Sequence, residues 1–467
     1  MDKYPQQSKG QKLMRLLMFT VAISSMSALM FNIVLPQISK EFSLSIAEAS
    51  WLSTAYTLIY AFGTVTYGKL ADRFQLKNIL TFGLLIFAIG SMVGLISHTF
   101  WVALLGRCLQ SAGAAAIPAS AMIIPIRYFP PERRGSALGM SAVGVAIGSA
   151  LGPVVSALIV SVAHWRWLFV PPLLILITLP FYRKYLEHDP KKESGRFDWL
   201  GGGLLAAATG LLLLGITNRA WWLLIGGLAA LPFFIARIRY AEEPFIQPKL
   251  FHNRTYTLGL TLIFLINAIG ASLYFLTPIL LADVYELDSK WIGFAMVPAA
   301  AASSILGRKG GKLADLKGNA YLFGIASASL MSCFVLLSTF TGALSAWIAS
   351  FLILGNVGQS FMLIAMSNSI SRTLPKEQVG VGMGLFSMIN FISQGIASGV
   401  YSILIALGSS ASWNPVNSYP NSYIYSNIYL VLAAMHVGIL IFYNALFGRR
   451  KAAVQKTEAD QANAEMD

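Results

Sequence analysis

GKLADRFQLK, Gly68–Lys77, decides the reading of this chain, because a partial copy, GKLADLKG, recurs at Gly311–Gly318. Each copy closes one apolar run and precedes the next, and the sequence between them is almost continuously hydrophobic. A basic, glycine-led turn repeated in two halves of an apolar chain predicts a protein built from duplicated helical bundles. Such proteins work by rocking one half against the other around a midplane site.

Composition sets the solvent. Hydrophobic residues make up 56% of the chain and charged residues 12%, and the mean hydropathy is +0.65. A soluble domain carries about twice that charged fraction. The hydrocarbon core of a bilayer is about 30 Å thick, so runs of roughly 20 apolar residues mark spanning helices. Helices satisfy their own backbone groups in lipid, and the alternation of an outer-membrane barrel is absent. The expected fold is all-α with fourteen spans: 14–36, 48–68, 78–97, 100–125, 136–160, 164–182, 198–218, 220–237, 256–281, 291–307, 319–340, 343–370, 380–407 and 424–447. The pair within 198–237 is joined by a very short turn, Asn218–Trp222; read as one re-entrant unit, it lowers the count and keeps the parity even.

Charge fixes an orientation. With the N-terminus inside, the inner segments hold 29 of the 34 Lys and Arg; Lys40, Arg166, Arg219 and Lys290 fall outside, and Arg107 lies within a span. That asymmetry is the positive-inside bias, and it places both termini and the 183–197 linker in the cytoplasm. It also accounts for the net charge of +14 without invoking nucleic acid, because the basic residues are scattered over inner loops. Lys3, Lys9, Lys12 and Arg15 precede a first span too long for a signal-peptide core, with no small-residue cleavage site after it, so no cleavable signal is expected. Cys108 and Cys333 both fall in spans and read as small packing residues, and no metal-ligand spacing exists. Neither a metal nor a cofactor is expected.

The spans divide as six, two and six, with the motif copies after the second helix of each six. The expected units are a bundle over 1–182, a linker with two inserted helices over 183–240, a second bundle over 241–450 and a disordered cytoplasmic tail over 451–467.

Several segments carry a resemblance to the major facilitator superfamily: FNIVLPQI at Phe31–Ile38, YGKLAD at Tyr67–Asp72, GRCLQSAGAAAIPA at Gly106–Ala119, and the glycine ladder ending in Gly152-Pro153. Within it the chain resembles the fourteen-helix drug:proton antiporters, most closely the tetracycline exporters of Gram-positive bacteria, over about residues 14–447. The resemblance implies a monomeric exporter in the bacterial cell membrane that trades a small-molecule drug for protons.

The residues have readings of their own. Gly68 lets two helices approach closely, and Asp72 stands among Lys69, Arg73 and Lys77, so a charge network can latch the inner face; Gly311, Lys312 and Asp315 repeat the arrangement. The alternative is an ordinary basic inner loop. In the resembled family this loop gates between inward- and outward-open states, although Gln75 stands here where glycine is usual. Arg107, with Gln110 one turn on, is a charge inside a span, which marks a functional position unless the side chain snorkels to the surface; the resemblance implies proton coupling. Ser111 replaces a usual glycine. Gly144, Gly148 and Gly152 give one smooth helix face and Pro153 permits a bend; the resemblance makes this the antiporter signature, whereas packing alone would explain the glycines.

Departures matter too. The resembled exporters place acids in spans 1, 5 and 13, where Ala28, Ser149 and Gln394 stand here, and Glu48, Asp72, Asp283, Glu286 and Asp315 all fall near membrane surfaces. That leaves the proton carrier unassigned and argues against a strongly cationic substrate. His436 titrates near neutrality, but a lone His on a peripheral helix reads as packing. The substrate site is expected to use neutral polar and aromatic groups: Asn32, Trp51, Tyr56, Tyr60, Gln110, Asn267, Tyr274, Asn356, Gln359, Asn390 and Gln394. Each of them could equally serve in interhelical hydrogen bonding. The resulting expectation is efflux of an amphipathic drug, tetracycline first, with another antibiotic or a self-made metabolite as the alternative. A membrane sensor or an uptake carrier is the other class. No nucleophile, base or metal cluster suggests an enzyme.

Overall fold

A computed structural model describes residues 4–186 and 198–448, apart from 33, 45, 218–219, 288 and 376–377. Most of the charged linker and the 451–467 tail lie outside the described residues. Among those described, no strand occurs. The helices in order are α1 Tyr4–Met30, α2 Leu35–Glu41, α3 Ile46–Ala49, α4 Trp51–Arg73, α5 Leu76–Leu95, α6 Phe100–Ala114, α7 Ala116–Tyr128, α8 Arg134–Val162, α9 Leu179–Tyr185, α10 Trp199–Thr217, α11 Trp221–Tyr240, α12 Lys249–His252, α13 Arg254–Tyr274, α14 Leu276–Asp283, α15 Ser289–Lys317, α16 Asn319–Phe340, α17 Ser345–Ser371, α18 Val379–Leu407 and α19 Tyr423–Tyr443.

Twelve described helical segments are long and apolar enough to cross a membrane, two fewer than the expected fourteen. The two that fall short are α4 and α15. Each carries a motif copy, and the Lys and Asp of that copy, with the serines, threonines or glycines above it, lower the helix's mean hydropathy.

Two spans are each divided between two α-helices, and the cause is the same in both. α6 gives way to α7 at Ala115, and α13 to α14 at Phe275. Pro118 and Pro278 follow each break by three residues. Neither proline has an N–H for the carbonyl four residues back, so the helix reorients there.

Buried side chains form two apolar clusters within the first bundle, around Leu84 and Phe87 and around Phe31 and Phe169. A third, around Phe323, Phe334 and Tyr429, draws in Leu205, Phe234 and Phe245 from the inserted region. α10 and α11 form a hairpin in which Gly215 and Gly227 admit Leu224 and Leu212, and Ile216 seats on Gly399 of α18.

At the end opposite the motifs, Glu41 fastens α2 to the segment after α8. It accepts a hydrogen bond from Trp165 Nε1 and pairs with Arg166 at 2.8 Å and His164 at 3.0 Å. Burial works to raise the pKa of Glu41, but the Trp165 bond and the Arg166 charge outweigh it and hold the carboxyl below its ordinary value.

Candidate functional site

The repeated motif forms a reciprocal latch between the two bundles. Asp72, in the last turn of α4, accepts N–H groups from Gly380 at 2.9 Å and Val381 at 2.8 Å, which open α18. Asp315, in the last turns of α15, accepts N–H groups from Gly135 and Ser136, both at 2.8 Å, which open α8. Each carboxylate therefore satisfies orphan amides and the positive dipole end of a helix in the opposite bundle. The glycines make this approach possible: a Cβ on Gly68 would strike the Gly380 carbonyl, and one on Gly311 the Gly135 carbonyl. Gly139 meets Gly307 in the same way, and Gly384 meets the Thr64 and Val65 backbone.

Lys69 and Arg73, the cations beside Asp72, also reach the segment that follows the inserted hairpin. Lys69 Nζ, buried, donates to the Pro244 carbonyl at 3.0 Å, and Arg73 pairs with Glu243 at 3.0 Å. Phe245 is fully buried and stacks on Phe62 of α4. Asp198, 2% exposed, holds this segment: it accepts the N–H of Gly201, Arg237 Nε at 3.0 Å and the N–H of Phe245 at 3.1 Å. The hairpin is thus clamped to α4, the helix that carries the first motif copy.

Burial tends to raise the pKa of Asp198, but those three hydrogen bonds and the Arg237 charge outweigh it and lower the value. A carboxyl with a lowered folded pKa stabilises the fold fully above its unfolded value of about 3.9 and loses that contribution as pH falls through the folded value. Asp198→Ala, which strands the buried amides of Gly201 and Phe245 and leaves Arg237 without this partner, is expected to cost about 1–3 kcal/mol. Thermal unfolding of the purified protein should show a constant gap to wild type from neutral pH down to about 4, narrowing below that.

Arg107 does not snorkel; it is fully buried. Its guanidinium lies between the rings of Phe31 and Tyr56, at 4.3 and 4.1 Å from their centroids. Nη1 donates to Gln110 Oε1 at 2.6 Å and to the Ser27 carbonyl at 3.3 Å, and Nε donates to the Leu52 carbonyl at 3.3 Å. Gln110 in turn donates to Ser91 Oγ at 2.8 Å. Ser111, in the place of the usual glycine, donates to the Tyr56 carbonyl. Three helices, α1, α4 and α6, are thereby joined through one side chain.

The other expected site residues separate into groups. Tyr56 stacks on Tyr60, and Tyr60 meets Phe391 of α18 edge-on at 4.8 Å, so this aromatic column reaches the opposite bundle. Gln394 donates to its helical neighbour Asn390 at 2.6 Å beside that contact. Gln359 and Asn267 join α17 to α13 at 3.4 Å. Asn356 is turned to its own helix, bonding the Leu352 carbonyl. Asn32 is exposed and accepts from Ser53 at 2.7 Å; Trp51 and Tyr274 are exposed as well, at 38% and 52%. His436 is fully buried with Phe334 edge-on, and Cys108 and Cys333 are free thiols.

Gly144, Gly148 and Gly152 face α1, where added Cβ atoms would meet Met18, Ala22 and Met26 with Leu29. The ladder is therefore a contact inside the first bundle, while Gly135 and Gly139, on the same helix, face α15. The side chain of Pro153 lies outside the described residues.

The Major Facilitator Superfamily profile matches residues 17–398. Riboflavin transporter RibZ of Clostridioides difficile (strain 630) is 26% identical over 403 residues, spanning 83% of this chain and 86% of that protein. Multidrug resistance protein 3 of Bacillus subtilis (strain 168) is 28% identical over 334 residues, 68% of this chain and 64% of that protein. In fold, the chain is similar to the human organic anion transporter MFSD10 (TETRAN), with a TM-score of 0.68 at 13% identity over 92% of this chain and 99% of that one. It is also similar to the proton:xylose symporter XylE, with a TM-score of 0.64 at 14% identity over 93% and 95% of the two chains. With twelve candidate spans and a profile match over most of its length, this chain is a multi-pass membrane protein that belongs to the Major Facilitator Superfamily.

Proposed function

We propose that this protein is a secondary active exporter of an amphipathic small molecule, driven by inward proton flow. The reciprocal latch of Asp72 on Gly380 and Val381, and of Asp315 on Gly135 and Ser136, carries the reading. It joins two bundles through a few breakable hydrogen bonds at the motif end of α4 and α15, as a rocking gate requires. On this reading α4 and α15 also cross the bilayer, giving fourteen spans in a bacterial plasma membrane. The motif end is cytoplasmic and closed, and the substrate site faces outward, near Tyr60, Phe391, Asn390 and Gln394. The protein acts as a monomer.

Tetracycline is the first candidate substrate, on the sequence resemblance. A flavin-like aromatic is the second, because the similarity to the riboflavin transporter runs over 86% of that protein. A susceptibility panel in an efflux-deficient bacterial host tests the reading. Expression should raise resistance to at least one amphipathic drug, and the Asp72→Asn variant should not. Unchanged susceptibility across the panel would turn the account toward an uptake carrier or a sensor.

The orientation has its own test. A cysteine at Ser418, which is exposed, or at Ser412 should react with an impermeant thiol reagent in intact cells, and one at Ser194 should react only after lysis. Labelling at 194 in intact cells would reverse the topology.

A further inference from the structure

Arg107 is a buried cation whose named partners are all neutral: two backbone carbonyls, one side-chain amide and two ring faces. None of the ion pairs among the described residues involves it. A charge taken out of water is normally paired with an opposite charge, and intramembrane cations mark ligand or ion paths. Ring faces and carbonyl dipoles offset that cost only in part.

A second observation falls at the same place. Arg107 Nη2 and the hydroxyls of Ser24, Ser27 and Tyr56 are all buried; Nη2 and the Ser27 hydroxyl have no hydrogen-bond partner among the described residues, and the Ser24 hydroxyl has only the Tyr56 and Tyr60 hydroxyls within reach. Ser27 gives its carbonyl to Arg107 and Tyr56 lies on the guanidinium face, while Ser24 is one turn from Ser27 on α1. All four groups can donate. Unsatisfied buried donors are uncommon in folded proteins, and the free Arg107 Nη2 and Ser27 hydroxyl leave room in the bonding scheme for an acceptor that is negatively charged.

Exposed residues adjoin the locus in sequence. Phe31 and Leu52, which touch Arg107, are followed in sequence by Asn32 and Ser53, a bonded pair at the exposed end of α4. In the other direction Tyr56 leads through Tyr60 to Phe391 and the contact between bundles. A shift of the Tyr56 ring would uncover the guanidinium from the side on which the bundles part.

The geometry points to Arg107, Ser24, Ser27 and Tyr56 as the site for one anionic group, the carboxylate or equivalent acid of the transported molecule, so that the substrate class is aromatic organic anions. This rests on the exporter reading above. Tyr60, only partly buried, supplies flat apolar surface for the ring system, and the guanidinium fixes its acidic end by charge-assisted bonds. The neutral residues Ala28, Ser149 and Gln394 at the positions where the resembled exporters carry acids are consistent with a cargo that is not a cation.

The test is binding of fluorescein, an anionic aromatic, and ethidium, a cationic one, to the purified full-length protein in nanodiscs, followed by fluorescence anisotropy. Fluorescein is expected to bind, and Arg107→Gln to weaken it by about tenfold or more. Gln110→Glu places a carboxylate on the atom now 2.6 Å from Arg107 Nη1. It should weaken fluorescein to the same extent and raise the thermal midpoint, because it supplies the missing counter-charge from within. That variant decides the matter even where Arg107→Gln fails to fold. Fluorescein affinity within twofold of wild type in Gln110→Glu would overturn the proposal, as would tighter binding of ethidium than of fluorescein to wild type. So would Arg107-dependent stabilisation by chloride with no fluorescein binding, which would make the occupant an inorganic ion. Proteoliposomes separate this from the exporter reading: ethidium efflux without fluorescein binding sinks the anion site alone, and efflux of no amphiphile sinks the exporter.

Discussion

The double variant Asp72→Asn/Asp315→Asn is expected to lose at least about 90% of transport per molecule at the cell surface while still reaching the membrane. Each aspartate accepts two backbone N–H groups at a helix start. Asparagine offers one acceptor and turns a donor toward the second amide, so each latch loses a bond and its charge against the helix dipole. Hydrogen bonds to charged groups contribute about 1.5–3 kcal/mol, and a charge at a helix end about 0.3–1. Every 1.4 kcal/mol shifts an equilibrium tenfold, so one latch is sufficient to move the closed state appreciably. The two lie in separate helix pairs, α4 with α18 and α15 with α8, and their effects should add. Transport assays on both single variants and the double, normalised to surface protein, check this. Normal rates in all three would reduce the repeated motif to a topology signal.

Arg107→Ala is expected to reduce proton-driven transport by about a hundredfold or more, and Arg107→Lys to restore little of it. The planar guanidinium fills a slot between Phe31 and Tyr56 and makes three directed bonds to α1, α4 and α6. A desolvated cation–π contact contributes about 2 kcal/mol, and truncation also strands Gln110 and two carbonyls at about 1–3 kcal/mol for each buried group. Lysine keeps the charge but not the fork. Initial rates in inverted vesicles, compared with folding judged by size-exclusion profile, make the check. A well-folded Arg107→Ala that still transports at the wild-type rate would remove Arg107 from the mechanism.

The apolar runs located the helices because membrane solvation acts on contiguous sequence: expected spans such as 78–97 and 319–340 became Leu76–Leu95 and Asn319–Phe340. The count was less legible. Fourteen spans were expected and twelve described helical segments are long and apolar enough; α4 and α15, which carry the polar motif copies, are the two that fall short. Arg107 was readable because a charge amid apolar residues has no local excuse. The latch partners were not: Asp72 and Gly380 are 308 positions apart, and no periodicity links a side chain to a distant helix start. A trace was present in GVGMG, Gly380–Gly384, and in GRKGG, Gly307–Gly311, where paired small residues signal close approach. Asp198 and Phe245 left no trace at all, because a linker rich in charge reads as topology until the hairpin between them is folded and brings them together. Three polar residues expected at the substrate site also bond within their own helices, Asn356 to Leu352 and Gln394 to Asn390, a local contact that a linear sequence does not announce.

The central claim is that outward movement of the substrate is coupled to inward movement of protons by exchange between two arrangements of the bundles. It is tested most directly by efflux of a panel-selected drug from proteoliposomes with an imposed pH gradient. The account predicts that efflux accelerates with the gradient, collapses when an ionophore dissipates it, and is lost in both conditions in the Asp72→Asn/Asp315→Asn variant. Efflux that proceeds at one rate with or without the gradient would contradict it.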